Sequence, residues 1–486
     1  MNHTIRSGVV VAWACALAAS AGAQTVEQMW AERCTSCHGA KAEGATAPTL
    51  LKKEKRDLSL VRPFYEVILN GREGLKDHAF GQGDKALTDK QAYALAVRIR
   101  EMQDAARFDA GEYIKPVDGV YHSQRHDFKM EKVIKEGLST PWAIEFLPDG
   151  RMLITNKTGR LVVASGDKLT KVEGTPGVVD DGQGGLMDAA LHPEFEKNGW
   201  VYLSFQFGEP KKRGMTKIVR GRIKAEGEAL NWVDEQTIYE CKPEHYLPAG
   251  GVHFGSRIAF QKHADGKWCV YFTHGERGRM EMAQDVTRPN GKVHRLYDDG
   301  TVPADNPFVD NPKAYPSIWS FGHRNPQGLT FDLEGNLWDT EHGPRGGDEL
   351  NRVEKGRNYG WPLVTFGINY DGTPFRNPWP ELNAANVSDK NIAMPTHIWL
   401  PSIAACGLDV STGGNFPEWK GDLLAGGLAG MTLQRVRIRE GKVVETEEVL
   451  KNIGRVRDVR VAPDGTVYLV INQPDIVVRL VNTSAK

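Results

Sequence analysis

A short unit recurs in the sequence after about residue 126: an apolar strand, a turn with an acidic residue before glycine, and a second apolar strand. Turns of this kind stand at Pro148–Gly150, Ala264–Gly266, Leu333–Gly335 and Pro463–Gly465. Apolar runs of strand length include Trp142–Leu147, Met152–Thr155, Trp200–Phe205 and Thr466–Ile471. Because no long helical pattern interrupts them, these repeats favour a radial array of small sheets, that is, a β-propeller. The repeat alone does not fix the number of blades.

The overall charge argues against some classes of partner. The chain has 486 residues, with 61 lysines and arginines against 62 aspartates and glutamates, so its net charge is close to zero. This balance gives no reason to expect binding to nucleic acid or to an anionic membrane surface. The length is sufficient for two or more domains.

Residues 1–23 have the pattern of a secretory signal peptide. Arg6 supplies the positive charge, residues 8–21 are an apolar run, and Ala21–Ala23 is a small-x-small cleavage site. The apolar run is too short for a transmembrane helix. We therefore expect cleavage after Ala23, export to the periplasm, and a mature protein without an integral membrane segment.

A motif for covalent haem attachment follows the signal. Residues 34–38 read CTSCH, and Cys-x-x-Cys-His in an exported protein indicates a c-type haem. Cys34 and Cys37 would bond to the haem vinyl groups, and His38 would be an axial ligand of the iron. A zinc site would need further ligands at matching spacing, and a thioredoxin-like site would need a βαβ context; neither is evident.

The region around this motif, residues 24–108, resembles a class I cytochrome c, a small all-α domain. Residues 87–100 have the apolar spacing of its closing helix, with Thr88 as the expected N-cap. Residues 109–125 are rich in glycine, proline and polar side chains and are predicted to be the interdomain linker.

The sixth haem ligand departs from the cytochrome pattern. That family usually places an axial methionine before the closing helix, but no methionine lies between Cys37 and Met102. His78 stands where the methionine is expected, so it is the candidate ligand of the iron. Ligation by water or by Met102 is the alternative.

Three further cysteines follow the haem motif: Cys241, Cys269 and Cys406. An odd number leaves at least one thiol free or paired between chains. A disulfide between Cys241 and Cys269 is possible in an oxidising compartment. Three buried, unpaired thiols are the alternative.

Residues 320–362 form the densest group of turn and polar residues. Leu329–Phe331 and Asn336–Trp338 are predicted to be strands joined by a turn at Glu334–Gly335. Charged and amide side chains therefore fall in loops at strand ends, where binding chemistry commonly lies.

The motifs of this stretch resemble those of the soluble quinoprotein glucose/sorbosone dehydrogenase family. In order they are Phe321–Gly328 (FGHRNPQG), Glu341–Pro344 (EHGP), Asp348–Asn351 (DELN) and Asn358–Pro362 (NYGWP). Members are six-bladed β-propellers that bind pyrroloquinoline quinone (PQQ) and calcium and oxidise aldoses. The resemblance implies a six-bladed propeller in residues 126–486, fused to an N-terminal cytochrome c domain. It also implies that an aldose is oxidised to its lactone, with electrons passed to the haem and then to a respiratory acceptor.

The same resemblance implies the roles of individual residues. His253 matches the catalytic base, a task that suits imidazole because its pKa lies near working pH. Glu276 stands where a carboxylate supports that histidine. Gln183 and Asn325 match PQQ contacts, and Arg324 matches the arginine that polarises the reacting PQQ carbonyl.

The remaining implied ligands bind charge. Planar guanidinium groups grip carboxylates, and calcium prefers oxygen ligands. Arg455 and Arg457 match residues that bind the PQQ carboxylates. The carbonyls of Gly343 and Pro344 match ligands of the active-site calcium. Glu349 and Tyr359 match ligands of a second calcium.

The sequence departs from the glucose-oxidising members at three positions. Ala429 replaces a PQQ-binding lysine, Val252 replaces an aspartate before the base, and Glu276 replaces an aspartate. The first change bears on PQQ affinity, and the other two bear on the substrate. Two other functions therefore stay open: a binding or sensor propeller without redox cofactor, and PQQ-dependent oxidation of a non-sugar alcohol or aldehyde.

Overall fold

The computed structural model describes residues 24–51, 62–74, 78–83, 86–248, 250–375 and 392–484. The predicted signal peptide, residues 1–23, lies outside the described residues. No helix in these ranges is both long enough and apolar enough to cross a membrane.

Four helices lie in the described part of residues 24–110. They are α1 (Val26–Arg33), α2 (Thr35–His38), α3 (Arg62–Asn70) and α4 (Asp89–Asp109). The predicted N-cap Thr88 is confirmed: its side chain accepts from the Gln91 backbone N–H, and Gln91 returns a bond to the Thr88 backbone. Helix α4 packs against α1 and α3, so the three form one small apolar core.

The rest of the described chain is built from strands. One short helix, α5 (Phe195–Asn198), and 3₁₀ turns at Pro243–His245, Met280–Gln284 and Pro417–Trp419 lie between them. The strands are β1 (Tyr121–His122), β2 (Asp127–Ile134), β3 (Pro141–Phe146), β4 (Met152–Asn156), β5 (Leu161–Ser165), β6 (Lys168–Glu173), β7 (Leu186–Leu191), β8 (Val201–Glu209), β9 (Arg213–Glu226), β10 (Ala229–Tyr239), β11 (Leu247–Pro248), β12 (Ile258–Lys262), β13 (Trp268–His274), β14 (Lys292–Tyr297), β15 (Ile318–Phe321), β16 (Pro326–Phe331), β17 (Leu337–Glu341), β18 (Asp348–Val353), β19 (His397–Trp399), β20 (Ala405–Val410), β21 (Leu423–Gly427), β22 (Thr432–Arg439), β23 (Lys442–Lys451), β24 (Arg455–Val461), β25 (Val467–Asn472) and β26 (Ile476–Asn482).

These strands form antiparallel units of four. The first five units are β3–β6, β7–β10, β12–β15, β16–β19 and β20–β23, and the last is β24–β26 completed by β2. A short parallel pairing of β6 with β10 joins the first two units into one sheet, while β1 and β11 add to β2 and β9. Because β2 pairs with β26, the start and the end of this region share a sheet.

The first strands of the units lie next to one another in cyclic order, from β3 through β7, β12, β16 and β20 to β24 and back to β3. Each pair of adjacent units encloses its own apolar cluster; for example, Phe128 of β2 packs with Phe416 and Trp419 of the preceding unit. The units are therefore held face to face around the ring by apolar side chains from both faces.

The repeat seen in the sequence is the connection between the first and second strands of a unit. Its four glycines, Gly150, Gly266, Gly335 and Gly465, all have φ between 83° and 89°. L-residues rarely adopt this left-handed conformation, so glycine is the residue that closes the turn without strain.

Two expectations need correction. Residues 121–122 of the predicted linker form β1, because they pair with Asp127 and Phe128 of β2. Cys241 and Cys269 are both buried, free thiols, so the disulfide considered for them is absent. The interpretation as unpaired buried cysteines is the correct one.

Candidate active site

The predicted site residues come together at one end of the ring. Gln183 lies shortly before β7, His253 shortly before β12, and Arg324 and Asn325 directly before β16, while Arg455 begins β24. All five therefore stand where the first strand of a unit begins. Since these first strands line the ring, their starting ends converge although the residues are far apart in sequence.

His253 is held by one contact through its side chain and one through its backbone. Its Nδ1 contacts the Glu276 carboxylate, and its backbone N–H donates to Gln183 Oε1 at 2.9 Å. Its φ of 58° is unusual for a residue with a side chain and marks a conformation fixed by the surroundings. Glu276 is itself anchored, because its backbone N–H donates to the Arg324 carbonyl at 2.9 Å.

The charge state of His253 suits a base. Burial, together with the nearby positive charge of Arg324, lowers its pKa below the usual value. The imidazole is therefore neutral at neutral pH, with Nδ1–H donating to Glu276 and a lone pair on Nε2. Among the described residues none bonds to Nε2, so this nitrogen can accept a proton from a bound molecule.

Arg324 lies beside the loop that follows β17. Its Nη1 donates to the carbonyls of Gly343 and His342 at 2.8 and 3.2 Å, and its Nη2 donates to the Tyr370 hydroxyl at 3.3 Å. Its guanidinium carbon is 5.1 Å from the centre of the Trp361 ring. These contacts aim the positive charge at the end of the ring where His253 lies.

Asn325 connects the two halves of the site. Its Oδ1 accepts from the Gly255 backbone and from Gln327, both at 3.1 Å, and its Nδ2 lies 3.3 Å from His342 Nδ1. This amide network ties the His253 loop to β16 and to the loop after β17.

Arg455 and Arg457 approach from β24. Arg455 Nη1 reaches the Leu428 carbonyl at 3.5 Å, next to Ala429, and the Arg457 guanidinium stacks 4.0 Å from the Trp142 ring centre. Burial and the neighbouring Arg455 lower the pKa of Arg457. The positive charges of the two arginines repel each other, so a bound anion would stabilise both.

The arginines of the site lack carboxylate partners, in contrast to two other buried arginines. Among the described residues no ion pair is formed by Arg324, Arg455 or Arg457. Elsewhere, Arg257 pairs with Asp188 and Asp458, and Arg435 pairs with Asp422, Glu445 and Glu447. Three unpaired guanidinium groups in one place form a site for a multiply charged anion.

The residues expected to bind calcium differ in whether their oxygen atoms already have hydrogen-bond partners. The Gly343 carbonyl accepts from Arg324 and Pro344 follows it directly, so both belong to the site. The Tyr359 hydroxyl instead donates to the Arg352 carbonyl and accepts from the Glu354 N–H. Only the backbone of Tyr359 is therefore available to a cation. Glu349 stands opposite Glu341 in the β17–β18 pair, and burial raises its pKa well above the usual value.

The haem-motif residues form a second group in the helical region. His38 Nε2 and His78 Nε2 face each other at 3.3 Å, and Cys34 and Cys37 are free. Met102 lies instead in the apolar core of the helices, on α4. Of the alternatives for the sixth ligand, His78 is the residue positioned opposite His38.

Sequence reasoning missed two features of the site. Tyr370 contacts Arg324, yet it sits in a polar loop with no motif to indicate this. A buried group of His323, Asp339 and Glu341 lies beneath Arg324. The alternation of two carboxylates along β17 was its only signal, because it places Asp339 and Glu341 on one face.

The helical region packs against the loop of residues 366–373, which we call the Tyr370 loop. The Tyr93 hydroxyl donates to the Phe366 carbonyl at 2.8 Å, and the Val26 N–H donates to the Gly372 carbonyl at 2.7 Å. Ile368 of the loop is part of the apolar core of the helices. The helical region therefore forms one wall beside the candidate active site.

Comparison with known proteins agrees with this geometry. The sequence profile described as Glucose / Sorbosone dehydrogenase matches residues 138–479. Aldose sugar dehydrogenase YliI of Escherichia coli is 37% identical over 348 residues, which are 70% of this chain and 90% of that protein. Quinoprotein glucose dehydrogenase B of Acinetobacter calcoaceticus is 27% identical over 420 residues, which are 70% of this chain and 84% of that protein.

A solved structure extends the similarity to three dimensions. The PQQ-bound form of aldose sugar dehydrogenase from Streptomyces coelicolor superposes with a TM-score of 0.55 at 26% identity. The match covers 73% of this chain and 98% of that one. The helical region precedes the residues that the family profile matches.

Arg345 is expected to hold the Tyr370 loop in place through the helical region. Its Nε and Nη2 donate to Glu101 at 2.6 and 2.7 Å, and Nη2 also donates to Glu27 at 2.7 Å. Replacing it by glutamine removes these ion pairs. Amide hydrogen exchange in residues 366–373 should then accelerate about fivefold, equivalent to about 1 kcal/mol for partly exposed pairs.

The control is Arg479→Gln, which removes an exposed ion pair with Glu131 across the β2–β26 pair, outside the contacts between the helical region and the Tyr370 loop. It should leave exchange in the Tyr370 loop unchanged. Equal exchange in Arg345→Gln and wild type would show that the ion pairs do not restrain the loop.

Proposed function

Since the chain belongs to the glucose/sorbosone dehydrogenase family, we propose that it oxidises an aldose to its lactone with PQQ and calcium. We further propose that it passes the electrons to a c-type haem in its own helical region. The observation that carries this proposal is the group of three unpaired guanidinium groups around the His253–Glu276 pair. A binding propeller without redox cofactor would have no need of a base placed beside such an anion site.

The proposed layout is a signal peptide in residues 1–23, a cytochrome c domain in 24–108, a linker in 109–125 and a six-bladed propeller in 126–486. The cyclic contacts of six first strands, with an apolar cluster between each adjacent pair of units, support six blades. The predicted signal peptide supports export to the periplasm, where a respiratory protein could accept the electrons.

The site residues suit PQQ, which carries three carboxylates. Arg455 and Arg457 offer planar guanidinium forks without carboxylate partners, and Arg324 Nε and His342 Nε2 are buried without a hydrogen-bond partner among the described residues. Unsatisfied buried groups of this kind are costly unless a ligand completes them. Gln183 and Asn325 would add amide contacts at the same end of the ring. Because Ala429 replaces the PQQ-binding lysine of the family, the arginines would bind the carboxylates of the cofactor.

We propose that a calcium ion binds beside Arg324. The carbonyls of Gly343 and Pro344 would be its protein ligands, and oxygen ligands suit this hard cation. Glu349 and the backbone of Tyr359 are the proposed ligands of the second, structural calcium.

When bound, PQQ supplies the quinone that accepts hydride from the anomeric carbon, and calcium polarises its carbonyl. The chain itself supplies the proton transfer and the charge. His253 Nε2 takes the proton of the sugar's anomeric hydroxyl, and Glu276 holds the ring in the required tautomer and stabilises the positive charge that forms on it. Arg324 places a fixed positive charge where negative charge grows during hydride transfer.

We propose that the helical region binds a haem with two imidazole ligands. Cys34 and Cys37 would hold the haem covalently, and His38 and His78, whose Nε2 atoms lie 3.3 Å apart, would be the ligands of its iron. Haem carries one electron at a time, so this domain would accept the two electrons of the donor in two successive steps.

The first test of the proposed function is cofactor dependence. Protein freed of cofactors should oxidise aldoses with a dye acceptor only after both PQQ and calcium are added. A panel of aldoses, with simple alcohols and aldehydes as comparison, would define the substrate. Full activity without PQQ, or no activity on any aldose, would contradict the proposal.

The second test concerns the base. His253→Ala should retain PQQ but lose about a hundredfold to ten-thousandfold in kcat, the usual cost of removing a general base. Arg455→Ala should instead weaken PQQ binding. His122→Ala, which alters an exposed histidine on β1, is the control. A His253→Ala enzyme within a few-fold of wild type would refute the assignment.

The third test concerns the haem. With two imidazole ligands, the oxidised protein should be low-spin and lack the far-red band of methionine ligation, and its potential should be below that of a Met/His haem. His78→Ala should convert the haem to a high-spin form, whereas Met102→Leu should leave the spectrum unchanged. A methionine band in wild type, or no spectral change in His78→Ala, would exclude His78 as ligand.

A further inference from the structure

A buried group of three ionisable side chains lies beneath Arg324 and takes no part in the chemistry proposed above. His323 Nδ1 is 3.0 Å from Glu341 Oε2 and 3.3 Å from Asp339 Oδ2. One ligand atom from each of the three side chains lies within 4.8 Å of the others. We call this group the His323 cluster.

The cluster has more negative than positive charge. All three side chains are almost wholly inaccessible to solvent, with 0%, 0% and 3% of the surface of His323, Asp339 and Glu341 exposed. One imidazole can balance only one of the two carboxylates. An uncompensated carboxylate in the interior costs several kcal/mol, so a second positive charge or a proton is required.

Among the described residues, the neighbouring basic side chains form no direct ion pair with the cluster. Arg324 gives only its backbone N–H to Glu341, at 2.8 Å, while its guanidinium bonds to the Gly343 and His342 carbonyls. Lys292 is buried nearby but donates to the carbonyls of Met282, Ala283 and Asn290. Both cationic groups therefore donate their hydrogen bonds to carbonyls outside the cluster.

A second observation points to a missing ligand. Neither carboxylate oxygen of Asp339 accepts a hydrogen bond of good geometry from the described residues, although the side chain is fully buried beside His323 and the Asn351 amide. Asn351, which is paired with Asp339 across β17 and β18, also has a buried amide oxygen without a donor. Oxygen atoms left without donors in the interior are atoms that a cation would satisfy.

The imidazole is oriented as metal-binding histidines are. His323 Nε2 lies 2.8 Å from Ser320 Oγ, and the ring stacks on Tyr359 with centroids 4.5 Å apart. When Nε2–H donates to the serine, Nδ1 presents its lone pair to the two carboxylates. A hydrogen bond on the far nitrogen that fixes the ring is the usual support of a histidine ligand.

We propose that His323, Asp339 and Glu341 bind one divalent first-row transition ion, with Zn²⁺ as the best match to the ligands. One imidazole nitrogen and two carboxylate oxygens suit such an ion better than calcium or magnesium, which prefer oxygen alone. Its three ligands are not those of the calcium sites proposed above, but it adjoins the second one, because Glu349 stands opposite Glu341 and the Tyr359 ring stacks on His323. Because Glu341 also accepts from the Arg324 backbone, the ion would fix the position of that arginine.

Metal content of the full-length protein tests this site without reference to PQQ or activity. After dialysis, elemental analysis of wild type should find about one equivalent of zinc or another first-row ion, apart from haem iron and calcium. Asp339→Asn should lose most of it. Asp409→Asn is the control, because Asp409 is a buried carboxylate that accepts backbone N–H bonds outside the cluster.

Thermal unfolding provides a second measurement. Protein stripped with a chelator and resupplied with calcium should gain several degrees in Tm on addition of Zn²⁺, and Asp339→Asn should not. Absence of a stoichiometric transition ion, together with no zinc-dependent shift in Tm, would overturn the proposal. A more stable Asp339→Asn protein would do the same, since it would show that the cluster is satisfied by protons.

Anomalous X-ray scattering at the zinc edge covers the case in which the variant does not fold. A peak within ligand distance of the three side chains in wild-type crystals would support the site. A peak only elsewhere, or only calcium at the cluster, would overturn it.

Discussion

The pairing of β2 with β26 closes the ring, and the candidate active site depends on that closure. Phe128 of β2 packs with Phe416 and Trp419 of the preceding unit, so the sheet that joins the two ends of the region is also fixed to its neighbour by apolar contact. Each first strand contacts the first strands of the units on either side of it. Because Gln183, His253, Arg324 and Arg455 come from four different units, their approach to one another exists only when all the units are in place.

Charge pairing separates the parts of the molecule that stabilise the ring from the part that can bind. Arg257 lies between units, and its charge is balanced by the carboxylates of Asp188 and Asp458. At the end of the ring, the partners of Arg324 and Arg457 among the described residues are carbonyl, hydroxyl, amide, thiol and aromatic groups. An arginine that is paired with a carboxylate of the protein thus stabilises the fold, whereas an arginine without such a partner is available to bind an anionic ligand.

The helical region is part of the architecture around the site. Ile368 and Leu400 of the strand-rich region lie in the apolar core of the helices, and Tyr93 bonds to the backbone of the Tyr370 loop. A domain that served only as a mobile electron carrier would need no such shared core. The packing instead gives the haem-motif residues a fixed relation to Arg324, whose guanidinium contacts Tyr370.

Local signals in the sequence determined the turns, the helix N-cap at Thr88, the haem motif and the strands around Phe331 and Trp338, because each depends on neighbouring residues alone. Motif resemblance indicated His253 and Glu276, and the structure places them in contact. Only the tertiary structure decided that Cys241 and Cys269 stay apart and that Tyr370 reaches Arg324. It alone also brought Asp339 against His323. These outcomes depend on which strands become neighbours, and that is set by packing between units distant in sequence, which no local pattern encodes.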